Sequence, residues 1–404
     1  MSTCRFCAAP LTHTFVDLGM SPFANSIVAE RDLNRMEPFY PLHARVCARC
    51  FLVQLDEFEP PESIFADYVY FSSYSSTWLD HAARYAEYAT GRFGLGPDNF
   101  VVEVASNDGY LLQYFAQRGV PVLGVEPAAN VAEVARAKGI PTEVRFFGRE
   151  TARRLASRRR ADLLIGNNVL AHVPDLNDFV AGIATLLAPH GVATLEFPHL
   201  LRLIEEEQFD TIYHEHFSYF SLATAERVFA GHGLTLIDVE ELPTHGGSLR
   251  IFAAHAGDVA ERVHELRARE EAGGLGDVDT YTSFGARARR AKWEILAFLI
   301  EAKDAGETIV GYGAPAKGNT LLNFCGIGTD FIDYTVDRNP HKQGRYLPGT
   351  HIPILPPQQI GRTRPDIVFI LPWNLRDEII EEMSFVRDWG GRFLVRSPEL
   401  QVYV

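Results

Sequence analysis

The stretch Phe100-Val101-Val102-Glu103-Val104-Ala105-Ser106-Asn107-Asp108-Gly109 decides the fold of this chain. An apolar strand runs directly into a short polar turn, and a helical pattern begins at Tyr110. Three further apolar strands follow at 122–126, 161–166 and 192–197, with helical patterns between them. Because alternating strands and helices form parallel sheets with right-handed crossovers, the sequence predicts an α/β fold. Such sheets bind their ligands at the carboxyl ends of the strands, close to the first turn.

The residues of this first turn indicate which kind of ligand it holds. A dinucleotide site needs the pattern G-x-G-x-x-G, so that the backbone can approach a pyrophosphate, but residues 103–109 contain a single glycine. An acid at the end of the second strand accepts hydrogen bonds from ribose hydroxyls. S-adenosylmethionine fits, because it has a ribose and no pyrophosphate. The predicted cofactor-binding residues are Glu103, Ala105, Asn107, Gly109 and Glu126, with Asn167 and Asn168 at the end of the third strand. A doubly wound domain without a nucleotide is the alternative.

Four of the five cysteines form two Cys-x-x-Cys pairs, Cys4 with Cys7 and Cys47 with Cys50. Two such pairs complete a tetrahedral zinc site, and four thiolates leave no open position for a substrate. We therefore predict a structural zinc ion in a small N-terminal domain whose own core is limited. Redox dithiols and free core thiols are the alternatives. Cys325 stands apart from the pairs and is expected to be a packing residue.

Length and charge restrict the remaining possibilities. A chain of 404 residues exceeds one ordinary core, so we predict a zinc-binding domain at 1–75, a Rossmann-like S-adenosylmethionine domain at 76–240, and a second Rossmann-like α/β domain at 241–404. The net charge of −14 argues against a nucleic-acid partner, since a phosphate backbone requires a basic surface. No signal-peptide pattern and no apolar run of membrane length is present, so we expect no membrane association and a cytoplasmic location. We also expect a monomer or a weak oligomer.

The last hundred residues contain a second unit of strand, turn and helix. The turn Gly311-Tyr312-Gly313-Ala314-Pro315-Ala316-Lys317-Gly318 resembles a phosphate cradle, in which backbone amides at a helix N-terminus act together with one lysine. It is not a P-loop, which requires G-K-[ST] after four intervening residues. Asp337 ends a following strand. Gly313, Lys317 and Asp337 are therefore candidate ligands of a second nucleotide.

The run Tyr213-His214-Glu215-His216-Phe217-Ser218-Tyr219-Phe220-Ser221 contains the groups best suited to proton transfer. Histidine titrates nearest the working pH, and the run follows the fourth strand, where α/β sheets place active-site groups. A surface turn with core aromatics is the alternative. His172 follows the third strand at the same edge of the sheet, and on its own it would be read as a histidine at the start of a helix.

Two further segments are candidates for contact with a substrate. Residues 68–78 are rich in Tyr and Ser, which line sugar pockets, although a Ser-rich hinge is equally compatible. Residues 244–252 join a glycine turn to a strand that carries an arginine able to neutralise a phosphate, and a plain hairpin turn is the competing interpretation. The candidate residues in the two segments are Tyr70, Tyr74, Ser76, His245 and Arg250.

Together these motifs resemble the sugar C-methyltransferases that act on nucleotide-linked 4-ketohexoses, such as the C-3 methyltransferases of deoxysugar antibiotic pathways. The resemblance covers nearly the whole chain and rests on the cysteine pairs, the turn 103–109, the Tyr-His-Glu-His run, the His-Gly-Gly-Ser-Leu-Arg run and the turn 311–318. It implies an N-terminal zinc domain, a middle domain for S-adenosylmethionine, and a C-terminal domain that helps to hold a nucleotide-diphosphate 4-ketosugar. It also implies that His216 is the general base and that Tyr213, Glu215 and His172 belong to the active site.

A mechanism follows from this resemblance. A carbon next to a ketone becomes nucleophilic when a base removes its proton and donors stabilise the enolate oxygen. We hypothesise that His216 takes the proton, that Glu215 orients or polarises the site, and that Tyr213 and His172 donate to the oxyanion or hold the ketone. The methyl group would then transfer in line.

Three other functions are compatible with parts of the sequence. An O- or N-methyltransferase would use the same cofactor domain without an enolate. A non-catalytic zinc protein would bind nucleotides through its two α/β domains. A metal hydrolase would use His172, His214 and His216, but the His-x-His spacing specifies only a pair of ligands.

Overall fold

The computed structural model describes residues 2–60 and 71–404, which form three β-sheets covered by helices. The strands are β1 (His13–Ser21), β2 (Val28–Ala29), β3 (Tyr40–Val46), β4 (Val53–Gln54), β5 (Val101–Val104), β6 (Val122–Val125), β7 (Thr142–Glu143), β8 (Ala161–Asn167), β9 (Leu187–Pro198), β10 (Ser218–Tyr219), β11 (Thr235–Leu242), β12 (Ser248–Ala254), β13 (Ile309–Tyr312), β14 (Thr335–Val336), β15 (Arg345–Tyr346), β16 (Pro353–Leu355), β17 (Ile367–Ile370), β18 (Arg392–Arg396) and β19 (Leu400–Tyr403). The α-helices are α1 (Ser76–Phe93), α2 (Leu112–Ala116), α3 (Ala129–Ala137), α4 (Arg149–Ala156), α5 (Leu176–Leu186), α6 (Leu200–Glu205), α7 (Leu222–Ala230), α8 (Glu261–Ala272), α9 (Val278–Asp304), α10 (Ala316–Cys325), α11 (Gln358–Thr363) and α12 (Arg376–Glu382).

The central sheet is the predicted parallel sheet, with the strand order β11-β12-β9-β8-β5-β6-β7. Strands β5 to β9 are parallel, and β12 is antiparallel to both of its neighbours. Side chains alternate between the two faces of a strand, so Val102 and Val104 of β5 enter the core on one face, whereas Val101 packs with helices α1 and α2 on the other. Burial on both faces explains why every residue of β5 except Glu103 is apolar.

The N-terminal sheet has the order β1-β3-β4-β10 and is antiparallel. Its edge strand β10 comes from the histidine-rich run, and its residues Ser218 and Tyr219 pair with Gln54 and Val53 of β4. The sheet that follows the first cysteine pair therefore holds the segment directly after His216.

The C-terminal sheet has the order β19-β18-β17-β13-β14-β16-β15-β2, and β13 is parallel to β14 and β17, as a second α/β unit requires. Its edge strand β2 comes from the N-terminal part of the chain and pairs with β15. Helix α9 joins the two sheets, because Phe284 of α9 stacks on Phe15 of β1 with ring centroids 4.5 Å apart. One hydrophobic core therefore runs through both parts.

Strand β12 lies in the range that we assigned to the C-terminal domain, yet it is hydrogen-bonded into the central sheet between β9 and β11. The domain division at residue 240 itself stays a prediction. In the described part of the chain, no helix combines the length and the hydropathy that crossing a lipid bilayer requires.

Candidate active site

The four cysteines of the two pairs come together in the N-terminal domain. All four sulfurs lie within 4.8 Å of one another, and the separations Cys4–Cys50 and Cys7–Cys47 are both 3.5 Å. Four thiolates at about 2.3 Å from one zinc ion require sulfurs about 3.8 Å apart, so this set fits a tetrahedral ion. Cys325 is buried in the core that α9 joins, as predicted.

The zinc domain contacts both histidine segments of the central domain. The Arg5 guanidinium donates to the carbonyl of Pro174 at 3.0 Å and lies 5.4 Å from the centroid of the Phe217 ring. On the other cysteine pair, the carbonyl of Cys50 accepts from Arg227 Nη1 at 3.1 Å. Since Phe217 directly follows His216 and Pro174 lies two residues after His172, the metal domain supports the segments that carry both rings.

The predicted cofactor turn has an unusual backbone. Ala105, Asn107 and Gly109 all have positive φ, at 55°, 49° and 76°, a region that L-residues other than Asn and Asp seldom adopt. A Cβ on Gly109 would lie 3.1 Å from Ile140 Cγ1. Asn107 Oδ1 accepts from the backbone N–H of Ser72 at 2.9 Å, so the hydroxyl-rich segment after residue 70 touches this turn. The turn presents backbone to the carboxyl edge of the sheet.

The two predicted acids of the cofactor site have different environments. The carboxylate of Glu126 accepts the backbone N–H groups of Asn107 and Ala128, both at 2.9 Å, which holds the turn against the second strand. Glu103 is completely buried, and burial raises its pKa well above the usual range, while a hydrogen bond to Tyr110 lowers it. Glu126 therefore stands at the strand end where a ribose would bind, and Glu103 lies beneath the turn.

Asn167 and Asn168 end the third strand of the parallel sheet. Asn167 Nδ2 is a buried donor with no hydrogen-bond partner among the described residues. Because an unsatisfied buried donor is costly, a cofactor that accepts this hydrogen bond would be stabilised at this position. Asn168 has a φ of 52°, and its Nδ2 lies 3.3 Å from His245 Nε2. The residues present therefore fit S-adenosylmethionine.

The histidine-rich run places His216 with a defined tautomer. Its Nδ1 lies 3.1 Å from the carbonyl of Thr211, which can only accept, so Nδ1 carries the proton. Its Nε2 lies 2.7 Å from the Tyr213 hydroxyl, which then donates to the ring. Burial, with smaller contributions from His172, His245 and Lys317, lowers the pKa of His216 well below its usual value. The ring is therefore neutral at pH 7, with its lone pair at Nε2.

His172 packs against His216 with ring centroids 4.7 Å apart and an interplanar angle of 66°. Its Nδ1 donates to the carbonyl of Glu215 at 2.6 Å, and burial lowers its pKa to about 4. Nε2 of the neutral ring consequently carries a lone pair and can accept a hydrogen bond but not donate one. This geometry does not suit His172 as a donor to the enolate oxygen, and the alternative that His172 holds the ketone in place stays a prediction.

Lys317 is the second residue of helix α10, and its charge contributes to the lowered pKa of His216. Its Nζ donates to Asn374 Oδ1 at 2.7 Å and lies 4.3 Å from the centroid of the Trp373 ring. The Trp373 indole in turn donates to Asp210 Oδ2 at 2.7 Å. Burial lowers the pKa of Lys317 to about 8. Sequence analysis missed Asp210, Trp373 and Asn374; the last two follow a buried strand, which is a signal for a site, whereas nothing local distinguishes Asp210.

The other predicted groups of the C-terminal turn have structural partners. Gly313 has a φ of +90°, and a Cβ there would lie 2.6 Å from Pro372 Cδ, so only glycine fits. Both Asp337 oxygens accept backbone N–H groups, those of Ala314 and Asn339, each at 2.8 Å. Asp337 therefore shapes the turn in which Lys317 lies.

Arg250 does not have the predicted environment. It is only 5% exposed, forms a hydrogen-bonded ion pair with Glu196, and contacts Glu240 at 2.9 Å. Its guanidinium also lies 4.3 Å from the centroid of the Tyr85 ring. A guanidinium already paired with two carboxylates inside the protein is not available for a phosphate. The structure thus corrects the proposed phosphate contact and gives Arg250 a structural role at the central sheet.

The remaining substrate candidates are distributed unevenly. Burial, with a smaller contribution from Lys317, lowers the pKa of His245 to about 4. The centroid of its ring lies 5.5 Å from that of the Trp78 ring. Tyr74 is 70% exposed. Tyr70 lies outside the described residues, and for Ser76 the structure describes only its place as the first residue of α1. His172, His245 and Lys317 all lie close enough to His216 for their charges to lower its pKa, and Lys317 also lowers the pKa of His245.

Three family profiles match successive segments of this chain. The family profile described as "Putative zinc binding domain" matches residues 4–65, "Methyltransferase domain" matches residues 78–239, and "C-methyltransferase C-terminal domain" matches residues 243–398. S-adenosylmethionine and zinc are accordingly the cofactors of this chain.

Individual proteins are similar to this chain over different shares of its length. A ubiquinone biosynthesis O-methyltransferase of Rhodopseudomonas palustris is 24% identical over 155 residues, which are 32% of this chain and 61% of that protein. The crystal structure of magnesium protoporphyrin IX methyltransferase from Synechocystis PCC 6803 with bound SAH is 15% identical, covers 44% of this chain and 83% of that one, and has a TM-score of 0.37. The C-methyltransferase NovU of Streptomyces niveus is 38% identical over 403 residues, which are 99% of this chain and 96% of NovU. The chain therefore belongs to the family of S-adenosylmethionine-dependent C-methyltransferases that includes NovU.

Proposed function

We propose that this enzyme methylates a nucleotide-linked 4-keto-deoxyhexose at a carbon next to the ketone, as part of deoxysugar biosynthesis. The observation that carries the proposal is the pair of His216 and Tyr213, with a neutral imidazole Nε2 that accepts from the phenol at 2.7 Å. A base and a hydroxyl donor in direct contact are what enolate formation requires. O-methylation requires no such enolate.

The chemistry would begin with His216. When the ketosugar enters, its acidic carbon comes to Nε2, and the Tyr213 hydroxyl turns from the ring to the ketone oxygen. Nε2 takes the proton, and the electrons of the broken C–H bond become the enolate, whose oxygen accepts the hydrogen bond of Tyr213. The Nδ1 contact with the Thr211 carbonyl holds the ring and favours the imidazolium that forms.

His172 would hold the base in place. Its Nδ1 bond to the Glu215 carbonyl and its edge contact with the His216 ring fix the segment that carries both catalytic groups. Because His172 itself stays neutral, it does not compete with His216 by adding a positive charge beside it. S-adenosylmethionine supplies the methyl group, which the carbon of the enolate accepts.

The C-terminal turn supports a nucleotide diphosphate as the carrier of the sugar. Backbone N–H groups at the start of the ten-residue helix α10 attract anions. Lys317 adds a charge in the same place, and at neutral pH it is largely protonated because its pKa is about 8. The charge of Lys317 lowers the pKa values of His216 and His245, so this turn lies near the proposed base.

The test is solvent deuterium exchange into the carbon next to the ketone, followed by NMR with S-adenosylhomocysteine present, across thymidine, guanosine and cytidine diphosphate 4-keto-deoxyhexoses. We expect exchange with the wild-type enzyme and a loss of at least about 100-fold in His216→Asn, the range typical of a general base. His190→Asn, at an exposed position, is the matched control. His216→Asn that exchanges at the wild-type rate while it binds both ligands contradicts the assignment of the base.

A further inference from the structure

We propose that Asn25, in the zinc domain, is a positioning residue for the catalytic carboxyl of Glu215. Asn25 Nδ2 donates to Glu215 Oε1 at 3.1 Å across a sequence separation of 190 residues. Asn25 is exposed, whereas Glu215 is only 5% exposed. The contact therefore reaches a buried carboxyl from another part of the chain, and it adds to the backbone N–H groups of Glu215 and Asn25 that stabilise the same carboxylate. The inference rests on the proposed function, in which Glu215 lies next to the base His216.

The two oxygens of Glu215 differ in a way that points to a ligand. Oε1 has the amide of Asn25, but Oε2 is buried and has no donor at hydrogen-bonding geometry among the described residues. A buried carboxylate oxygen without a donor is unfavourable, and a hydroxyl of the bound sugar would supply one. By fixing Oε1, Asn25 sets the plane of the carboxyl and so the direction in which Oε2 accepts.

The loop that carries Asn25 is held by the helix of the nucleotide turn. Asn319 of α10 is buried, and its Nδ2 donates to the carbonyl of Ala24 at 2.6 Å. The next residue, Thr320, donates to the carbonyl of Ile212 at 3.0 Å, directly before Tyr213. One turn of α10 thus holds both sides of the contact between Asn25 and Glu215, and this helix begins next to Lys317. Segments from all three parts of the chain therefore lie around the contact between Asn25 and Glu215.

The protonation of Glu215 should report on the contact. Burial raises the pKa of Glu215, and the donors from Asn25 lower it because they stabilise the charged form. Removal of the Asn25 amide should therefore raise this pKa. Since the carboxylate is the form that accepts from the sugar, the acid limb of the exchange rate should move to higher pH in the variant, an effect that general loosening of the domain does not predict.

The test is a double-mutant cycle on the deuterium exchange rate, with Asn25→Ala, Glu215→Gln and the double variant. We expect Asn25→Ala to lower the exchange rate by about 10-fold or more, the range for a hydrogen bond to a charged group. In the Glu215→Gln background, the same substitution should lower the rate by less than about twofold. Asn25→Asp keeps the size of the side chain but replaces the donor with a second carboxylate, and should lower exchange further. Asn34→Ala, at an exposed asparagine of the same domain, should change nothing.

The outcomes separate the two proposals. If wild-type enzyme exchanges with no ketosugar of the panel, the proposed function is wrong. If wild-type enzyme catalyses the exchange and Asn25→Ala has the same rate, the positioning role of Asn25 is wrong. The role is also wrong if the fold-changes caused by Asn25→Ala and Glu215→Gln simply multiply in the double variant. A reduced rate that becomes insensitive to Asn25 in the glutamine background, with the acid limb shifted in the single variant, supports the role.

Discussion

Gly246 offers a test of how tightly the turn at 244–246 is joined to the C-terminal α/β unit. It has a φ of +88°, and a Cβ built on it would lie 2.2 Å from Cη2 and 2.6 Å from Cζ3 of Trp373. The indole cannot easily move away, because it is 7% exposed and donates to Asp210 at 2.7 Å. Gly246→Ala should therefore displace Trp373 from beneath Lys317.

The size of the effect follows from two contributions. The left-handed backbone costs a residue with a Cβ about 1–2 kcal/mol, and overpacking of a filled site costs typically about 1–3 kcal/mol, so the free energy of unfolding should fall by roughly 2–5 kcal/mol. Loss of the aromatic face under the Lys317 ammonium, now 4.3 Å from the ring centroid, should add a two- to thirtyfold loss of nucleotide affinity, since such contacts contribute about 0.5–2 kcal/mol.

The assay is urea denaturation followed by circular dichroism, with Gly233→Ala as the matched control. Gly233 has a φ of +75° but nothing within 4 Å of its ideal Cβ, so its substitution carries the backbone cost alone. The difference between the two variants, about 1–3 kcal/mol, isolates the clash with Trp373. Calorimetric titration with a nucleoside diphosphate measures the second effect.

Equal destabilisation of the two variants, with unchanged nucleotide affinity in Gly246→Ala, would refute the reasoning. It would mean that Trp373 adjusts without cost and that the contact between the 244–246 turn and the C-terminal domain does not constrain the Lys317 site.

Three other predictions follow from the structure. Treatment with a chelator, or the substitution Cys47→Ser, should remove one zinc ion per chain, as measured by elemental analysis. The loss should lower the free energy of unfolding by several kcal/mol. A metal-free protein with an unchanged urea midpoint contradicts this prediction. Nucleoside diphosphate affinity should fall as pH rises through about 8, where Lys317 loses its charge. This fall in affinity should vanish in Lys317→Met but persist in the control Lys303→Met. Calorimetry that shows no fall in affinity, or the same fall in both variants, disproves the role of Lys317 in nucleotide binding. Arg250→Met should leave the buried Glu196 with His81, 2.9 Å away, as its remaining partner, and should cost up to about 3–5 kcal/mol in urea denaturation. Nucleotide affinity should show no specific loss; a stable variant that binds nucleotide poorly would restore the phosphate role.

The sequence by itself determined the features that depend on neighbours along the chain. The strand and turn at 100–109 predict the parallel sheet because a run that is apolar on both faces, apart from Glu103, suits a strand buried on both faces. The cysteine pairs predict a zinc site because each pair is a local unit that supplies two ligands. The position of the histidine-rich run after a strand predicts that it lies at the carboxyl edge, since the ends of parallel strands share one edge.

Only the tertiary structure decided which groups meet across the sheets and domains. Arg250 stands directly opposite Glu196 on β9 and Glu240 on β11, and no local pattern reveals strand neighbours or register. Asn25 reaches Glu215 over 190 residues in the same way. The physical reason is that a side chain's charge and orientation depend on its partners and its burial, and these arise from packing between segments far apart in the chain.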